Sequence, residues 1–225
     1  MSDSSNASSS RLAASSYNSP YSRAGAPSPH PNTDPYAKLR AQALTTLEAM
    51  GYDPKTMVEH GVVWAEDQDP FGHVMHSQYM HFIGSCLYRL MESYDQFLST
   101  AECDDMLQGK SVISAVRKYE LSIRRQVQYP DSLIAAYRQS YIEPSRNNGT
   151  LCLFSLKQQT IVAEVKGSTT FMDLKTGRPV NIRTLGGGWP AVYDHWIKTA
   201  EQTKVAMEKW ERDHPKVGPI HSSKI

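Results

Sequence analysis

The stretch Asp67-Gln68-Asp69-Pro70-Phe71-Gly72-His73-Val74-Met75-His76-Ser77-Gln78-Tyr79 is where the pattern of the chain changes. Before it, Val62, Val63 and Trp64 suit a strand over about 61–66. After it, Ile83, Leu87, Leu90, Met91, Tyr94 and Leu98 recur on one stripe, which predicts a long helix from about Gln78 to Leu98. Pro70 keeps Asp69 out of the helical region, and Gly72 supplies the turn. Ser77 reads as the helix N-cap, which leaves His76 just outside and the amides of Gln78, Tyr79 and Met80 without helical partners. Such a helix start favours negative charge.

Downstream the period falls to two. Ile113, Ala115, Tyr119, Leu121 and Ile123 alternate with Ser114, Lys118, Glu120, Ser122 and Arg124, and only Arg117 breaks the series. Turn signals at Tyr129-Pro130-Asp131, Arg146-Asn147-Asn148-Gly149 and Lys175-Thr176-Gly177-Arg178-Pro179 divide the region into strands at about 112–126, 132–142, 150–158, 160–173 and 179–184. Short connections of this kind make an antiparallel sheet. One strand, a long helix and then several antiparallel strands bury their apolar faces most economically if the sheet curls around the helix, an α+β architecture. The open sheet edges predict a homodimer or homotetramer.

The ends differ from this centre. Residues 1–35 hold 11 Ser and five Pro with almost no large aliphatic side chain, a composition expected to stay disordered. A helix is predicted over 36–50 from Leu39, Ala43, Leu47 and Met50, with Gly51 closing it, and another over about Pro190 to Asp213. The domain reading is therefore a tail at 1–35, a helical extension at 36–58, the central domain at 59–185, and a C-terminal helix and tail at 186–225.

The whole chain of 225 residues carries 24 basic and 23 acidic side chains, a net charge of +1, which gives no broad attraction to nucleic acid. No apolar run approaches the roughly 20 residues of a membrane span, and the N-terminus lacks the core of a secretory signal. Cys86, Cys103 and Cys152 share no metal or redox spacing and read as buried apolar residues. These features point to the cytoplasm, with the mitochondrial matrix as the alternative because Arg11 and Arg23 sit in an acid-poor leader.

The chemistry gathers at the junction. A carboxylate beside free helix-start amides suits attack on a carbonyl, the carboxylate activating water or attacking directly and the amides holding the oxyanion. A positioned base is worth about 10²–10⁴ in rate and one oxyanion donor about 10²–10³, whereas an exposed helix dipole contributes only about 0.3–1 kcal/mol. Asp69 is the candidate base or nucleophile, and Asp67 reads as structural. The Asp and His spacing matches no metal pattern, and Ser77 lacks the elbow of a serine nucleophile.

At these residues the chain resembles hot-dog fold acyl-CoA thioesterases of the 4-hydroxybenzoyl-CoA thioesterase class, whose signature D-x-D-x-x-G-x-V-x-x-x-x-Y runs from Asp67 to Tyr79. Arg124-Arg125, Tyr129 and Asp131-Ser132-Leu133 are similar to the family's second-to-third strand passage, with Gln126 and Pro130 departing from it. The resemblance covers about 59–174. It implies a hot-dog fold, an antiparallel sheet wrapped around a long central helix, here with extra N- and C-terminal helices. It further implies catalysis by Asp69, with His76 and Tyr79 at the thioester, and substrate contacts from Gly72, His73, Ser77, Gln78, Arg124 and Arg125. The expected substrate is an acyl-CoA or acyl-carrier thioester, hydrolysed with no cofactor and no metal, CoA being part of the substrate. The rival readings are a non-catalytic hot-dog subunit of a larger assembly and a hot-dog hydratase or dehydratase. The second lacks its usual His elements here, since Val74 stands where that family's D-x-x-x-x-H requires His.

Overall fold

The structure, a computed structural model, describes residues 34–215, so nearly all of the Ser- and Pro-rich tail and the last ten residues lie outside it. It opens with α1, Ala37–Ala49, which buries Ala43 and Leu47 and ends at Gly51, whose φ of +84° is the left-handed turn that the sequence asks of a glycine. Arg40 of α1 ion-pairs with Asp34 and with Glu59 of β1, Val58–Gly61. The expected strand at 61–66 is thus displaced. β1 ends at Gly61, and Trp64–Asp67 forms a single helical turn, α2, because the Asp67 carboxylate accepts the Val63 amide at 2.6 Å and closes the chain on itself.

The long helix α3 spans His76–Glu92 and passes into a 3-10 turn at Ser93–Gln96, so it starts two residues earlier and stops sooner than the apolar stripe indicates. A further helix, α4, Thr100–Leu107, is absent from the periodicity yet carries its own signal, a capping box in which Ser99 and Glu102 serve each other's backbone amides. Four long strands follow: β2, Val112–Ile123; β3, Ser132–Glu143; β4, Arg146–Ser155; and β5, Thr160–Asp173. They make an antiparallel sheet of order β1-β3-β4-β5-β2. The expected turn at Arg146–Gly149 is instead strand. Glu143 pairs with Arg146, so the reversal is Pro144-Ser145, where proline cannot serve a ladder. The expected strand 179–184 shrinks to β6, Arg178–Pro179.

Arg117, the residue that breaks the alternation, sits at a register shift between Val116 and Lys118. The extra residue exchanges the two faces of β2. Tyr119 and Leu121 therefore share the inner face with Ser114 and Val116, not with Ile113 and Ala115 as an unbroken period would have it.

The sheet curls around α3, and the inner core joins Tyr79, Ile83, Cys86 and Leu90 of the helix to Leu133, Ala135, Tyr137, Leu151 and Leu153 of the sheet. On the outer face, α1 packs over Ile134, Ala136, Cys152 and Phe154. The final helix α5, Trp189–Asp213, begins beside Phe171 and Tyr94 and packs chiefly on β3. The three cysteines are free and buried. No helix among the described residues is long and apolar enough to cross a membrane.

Candidate functional site

The loop between α2 and α3 is built from its own side chains. Asp67 is buried and spends one carboxylate oxygen on Val63, while its carbonyl accepts the Met75 amide at 2.8 Å. Both contacts are structural. Asp69 is partly buried, and its Oδ1 accepts the amides of Phe71 and His73, each at 2.9 Å. Gly72, with φ +79°, lets the chain turn tightly enough for this. One oxygen of Asp69 is thus committed to the loop, and no hydrogen bond from a described residue engages the other. The loop is tied to 124–131 by Val74, whose amide donates to the Val127 carbonyl at 2.8 Å, and by Gln68 Oε1, which accepts the Tyr129 amide.

Met75, not Ser77, occupies the N-cap of α3 and gives no side-chain cap. Gln78 donates its amide to the Met75 carbonyl at 3.0 Å, so the amides left without helical partners are those of His76 and Ser77, not those of Tyr79 and Met80. The side chains of His76 and Ser77 are exposed beside them. Tyr79 behaves differently. It is buried in the inner core, and a backbone hydrogen bond at Val127 offsets part of the upward push that burial gives its hydroxyl. It holds the 124–131 passage against α3 and does not stand at the opening of the helix.

The remaining expected contacts divide. His73 is partly buried, with its backbone in the Asp69 turn, and Gln78 reaches back to the Glu66 carbonyl. Arg124 lies apart from them. Its guanidinium pairs with Glu164 at 3.1 Å in a groove on the outer face with Thr150 and Lys166, the opposite side of the sheet from α3. Arg125 is exposed at the same end of β2. Trp64, Phe71 and Tyr129 are exposed aromatics close to the loop, with Phe71 82% exposed, an apolar rim of the kind that binding surfaces present.

A cavity of about 260 Å³ lies between α3 and the inner face of the sheet, lined by β2, β4 and β5 and by Tyr137 of β3. Two glycines make room for its floor. A Cβ on Gly149 would meet the Tyr137 ring at 2.3 Å, and one on Gly167 would meet the Tyr119 ring at 2.6 Å, so each tyrosine lies flat across a neighbouring strand. Tyr137 Oη donates to Gln139 Oε1 at 2.5 Å, and Ser114 donates to Thr169 at 2.8 Å. Tyr119 Oη is buried without a partner, and burial pushes its ionisation up to about 12, which keeps it a neutral hydroxyl at ordinary pH. The sequence reading merged the helical wall of this cavity, Leu87 and Met91, with the core stripe. The signal that separates them is Gly84, a helical glycine at which a Cβ would touch nothing.

One Ser–His contact has no counterpart in the motif. His60 Nε2 lies 2.5 Å from Ser85 Oγ, with the His60 ring stacked on Phe82. Burial, with His81 nearby, lowers the His60 pKa to about 4. Ser85 already donates to the Phe82 carbonyl, so the pair serves packing. Among the described residues no cluster of His, Cys, Asp and Glu could hold a metal ion.

Residues 63–197 match the family described as the thioesterase-like superfamily. Among solved structures, a protein of Pseudomonas aeruginosa is similar at 18% identity over 63% of this chain and 90% of that one, with a TM-score of 0.50. A protein of Prochlorococcus marinus is similar at 17% identity over 64% of this chain and 94% of that one, also with a TM-score of 0.50. At such identities the likeness shows the fold, the hot-dog arrangement described above. No curated protein matches the chain.

Proposed function

The chain belongs to the thioesterase-like superfamily, and from that premise we propose that it hydrolyses an acyl-CoA thioester to the free acid and CoA, with Asp69 as base or nucleophile. The observation that carries this reading is the placing of Asp69. Its carboxylate is anchored through one oxygen to its own loop, and that loop leads within three residues of His73 into a helix start whose first two amides, His76 and Ser77, have no helical partner.

In the general-base form, the free oxygen of Asp69 takes a proton from water as the water oxygen bonds to the thioester carbon. The α3 amides hold the oxyanion, the carbon–sulfur bond breaks, and the proton passes to the departing thiolate. In the nucleophilic form the carboxylate attacks first and expels CoA as the thiolate, and water then opens the mixed anhydride, releasing the free acid, restoring the Asp69 carboxylate and leaving its proton to the thiolate. The step balances with water alone and calls on no cofactor. His76 contacts the thioester from the exposed helix start. Gly72, His73, Ser77 and Gln78 shape the rim, and Tyr79 acts by positioning the passage at Val127. Arg124, turned to the outer face, is left out, and Arg125 is kept for the CoA phosphates.

β2 pairs with β5 on one side, and its other edge has no neighbouring strand among the described residues, where Val116 and Ile123 are exposed. A second copy pairing there would remove that edge, and the working form is a homodimer or a multiple of it.

Hydrolysis across a panel of acyl-CoAs of graded length, wild type beside Asp69→Asn, tests the reading. The expected outcome is a folded variant whose turnover falls by at least about 10². Wild-type turnover in the variant removes Asp69 from the mechanism, and no turnover of any acyl-CoA or acyl-carrier substrate by the wild type removes the reaction.

A further inference from the structure

The outer face of the sheet carries two helices, and they meet different floors. Under α1 the floor is apolar, Ile134, Ala136, Cys152 and Phe154, and the contact is sealed. The last two turns of α5 bring Met207 and Trp210, three residues apart and so on one side of the helix, over Thr150, Glu164 and Lys166 of β4 and β5. Apolar side chains do not close on a charged floor as they do on an apolar one, and the helix stands off the sheet. The space left is a groove of about 750 Å³, with Met50 at the end of α1 as a further apolar wall. That volume lies within the roughly 300–1,000 Å³ of small-molecule sites. The α5 wall lies beyond residues 63–197, the part of the chain matched to the superfamily.

Register sets the donors of the groove in a row. Arg138 of β3 lies opposite Thr150 of β4, and Thr150 lies opposite Lys166 of β5. Directly opposed residues share a face with Cβ atoms about 4.5–5.5 Å apart, so two long cationic side chains flank one hydroxyl. The Arg138 guanidinium is held 4.8 Å over the Tyr52 ring and gives Nη1 to the Met50 carbonyl at 3.3 Å, which leaves Nη2 uncommitted among the described residues. Lys166 is exposed and makes no ion pair with a described residue. The Thr150 hydroxyl has no hydrogen bond to a described residue and, unlike Arg138 Nε, is not sealed from solvent.

Of the two carboxylates in the lining, Glu164 is paired with Arg124 at 3.1 Å and Glu211 is exposed. The row therefore offers two uncompensated cations and a hydroxyl to an anion, a set that suits the several oxygens of a phosphate. Trp210, its indole stacked on His214 at 3.7 Å and only partly buried, gives with Met207 an apolar wall for a flat ring. Stacking on an aromatic side chain is open to any nucleobase.

We propose that the groove between the end of α5 and the outer face of the sheet binds a nucleoside phosphate, free or as the nucleotide end of CoA, with the phosphate on the row Arg138, Thr150 and Lys166 and the base against Trp210. The site lies on the opposite side of the sheet from α3 and does not depend on the thioesterase reading.

Calorimetry on the full chain with ADP is the test. ADP is expected to bind saturably with a Kd below about 1 mM. Adenosine and inorganic phosphate should each bind at least about tenfold more weakly, because each keeps only part of the contacts. Lys166→Gln, at an exposed position, should weaken ADP about tenfold by removing a charge-assisted hydrogen bond, and Trp210→Leu at least about fivefold by removing the stacking wall. Lys209→Gln makes the same charge change on the far side of α5 and should leave binding unaltered. Absence of ADP binding, phosphate that binds as tightly as ADP, undiminished binding in Trp210→Leu, or equal losses in Lys166→Gln and Lys209→Gln would each overturn the proposal. CoA added to the ADP-saturated protein identifies the source, and the site stands in both cases. Displacement of ADP assigns the groove to the nucleotide end of CoA, and CoA bound beside retained ADP assigns it to a free nucleotide.

Discussion

The two flanks of α3 are made of similar side chains and do opposite things. One presents Tyr79, Ile83 and Cys86 to β3 and β4 and is sealed in the inner core. The other, with Gly84, Leu87 and Met91, faces β2, β4 and β5 across a cavity. Packing is saturated on the first flank and deliberately short of atoms on the second. Interiors pack to crystal-like density, so a half-filled flank on the longest internal helix marks a place kept for something else. Hydropathy does not distinguish them, but truncation should.

Ile83→Ala opens a hole in the sealed flank and is expected to cost about 2–5 kcal/mol in urea unfolding, whereas Leu87→Ala only enlarges a space that already exists and should cost less than about 1 kcal/mol. Equal costs would erase the distinction between the flanks. The next effect belongs to the β1 side of the helix. His60 is held neutral by burial, its pKa lowered from the usual 6.5 to about 4. The unfolded chain takes up a proton near 6.5 and the folded chain only near 4, so this contribution is full above 6.5 and is lost as pH falls from 6.5 to 4, by about 3 kcal/mol. Urea midpoints measured over that window should decline in the wild type and flatten in His60→Gln. The smallest effect is Gly84→Ala. A Cβ there meets nothing and the backbone is ordinary helix, so thermal unfolding should show a gain of about 0.5–1 kcal/mol. A loss would mean that the second flank is tighter than its geometry indicates.

The fold was legible to the extent that it depends on period and punctuation. The change from helical stripe to alternation, and the turn at Asp69 to Gly72, were enough to place a sheet around a helix. What escaped were features decided by single residues acting against the local pattern. Arg117 at a bulge exchanges the faces of β2 and turns Ser114 and Val116 inward with Tyr119, where an unbroken alternation puts Ile113 and Ala115. Pro144 moves the hairpin off the Asn-Asn-Gly sequence that looks like a turn. Asp67, by closing on Val63, ends the β-branched run and begins a helical turn at Trp64. The site divides in the same way. The turn that carries Asp69 towards α3 was readable because its hydrogen bonds are local. Tyr79 and Arg124 fall elsewhere, since whether a side chain faces core, groove or outer surface depends on which strand lies opposite. The cavity needed pairs far apart in sequence, Tyr137 over Gly149 and Tyr119 over Gly167, that no spacing announces.

The two aspartates of the junction give the most direct test, because they share a loop and differ in duty. Release of CoA thiol from an acyl-CoA that the wild type turns over would be followed beside urea unfolding for Asp67→Asn and Asp69→Asn. The account requires Asp69→Asn to lose at least about 10² in turnover with stability near that of the wild type, and Asp67→Asn to lose about 1–3 kcal/mol of stability while the folded fraction still hydrolyses. Turnover that survives in Asp69→Asn and disappears in folded Asp67→Asn would contradict it.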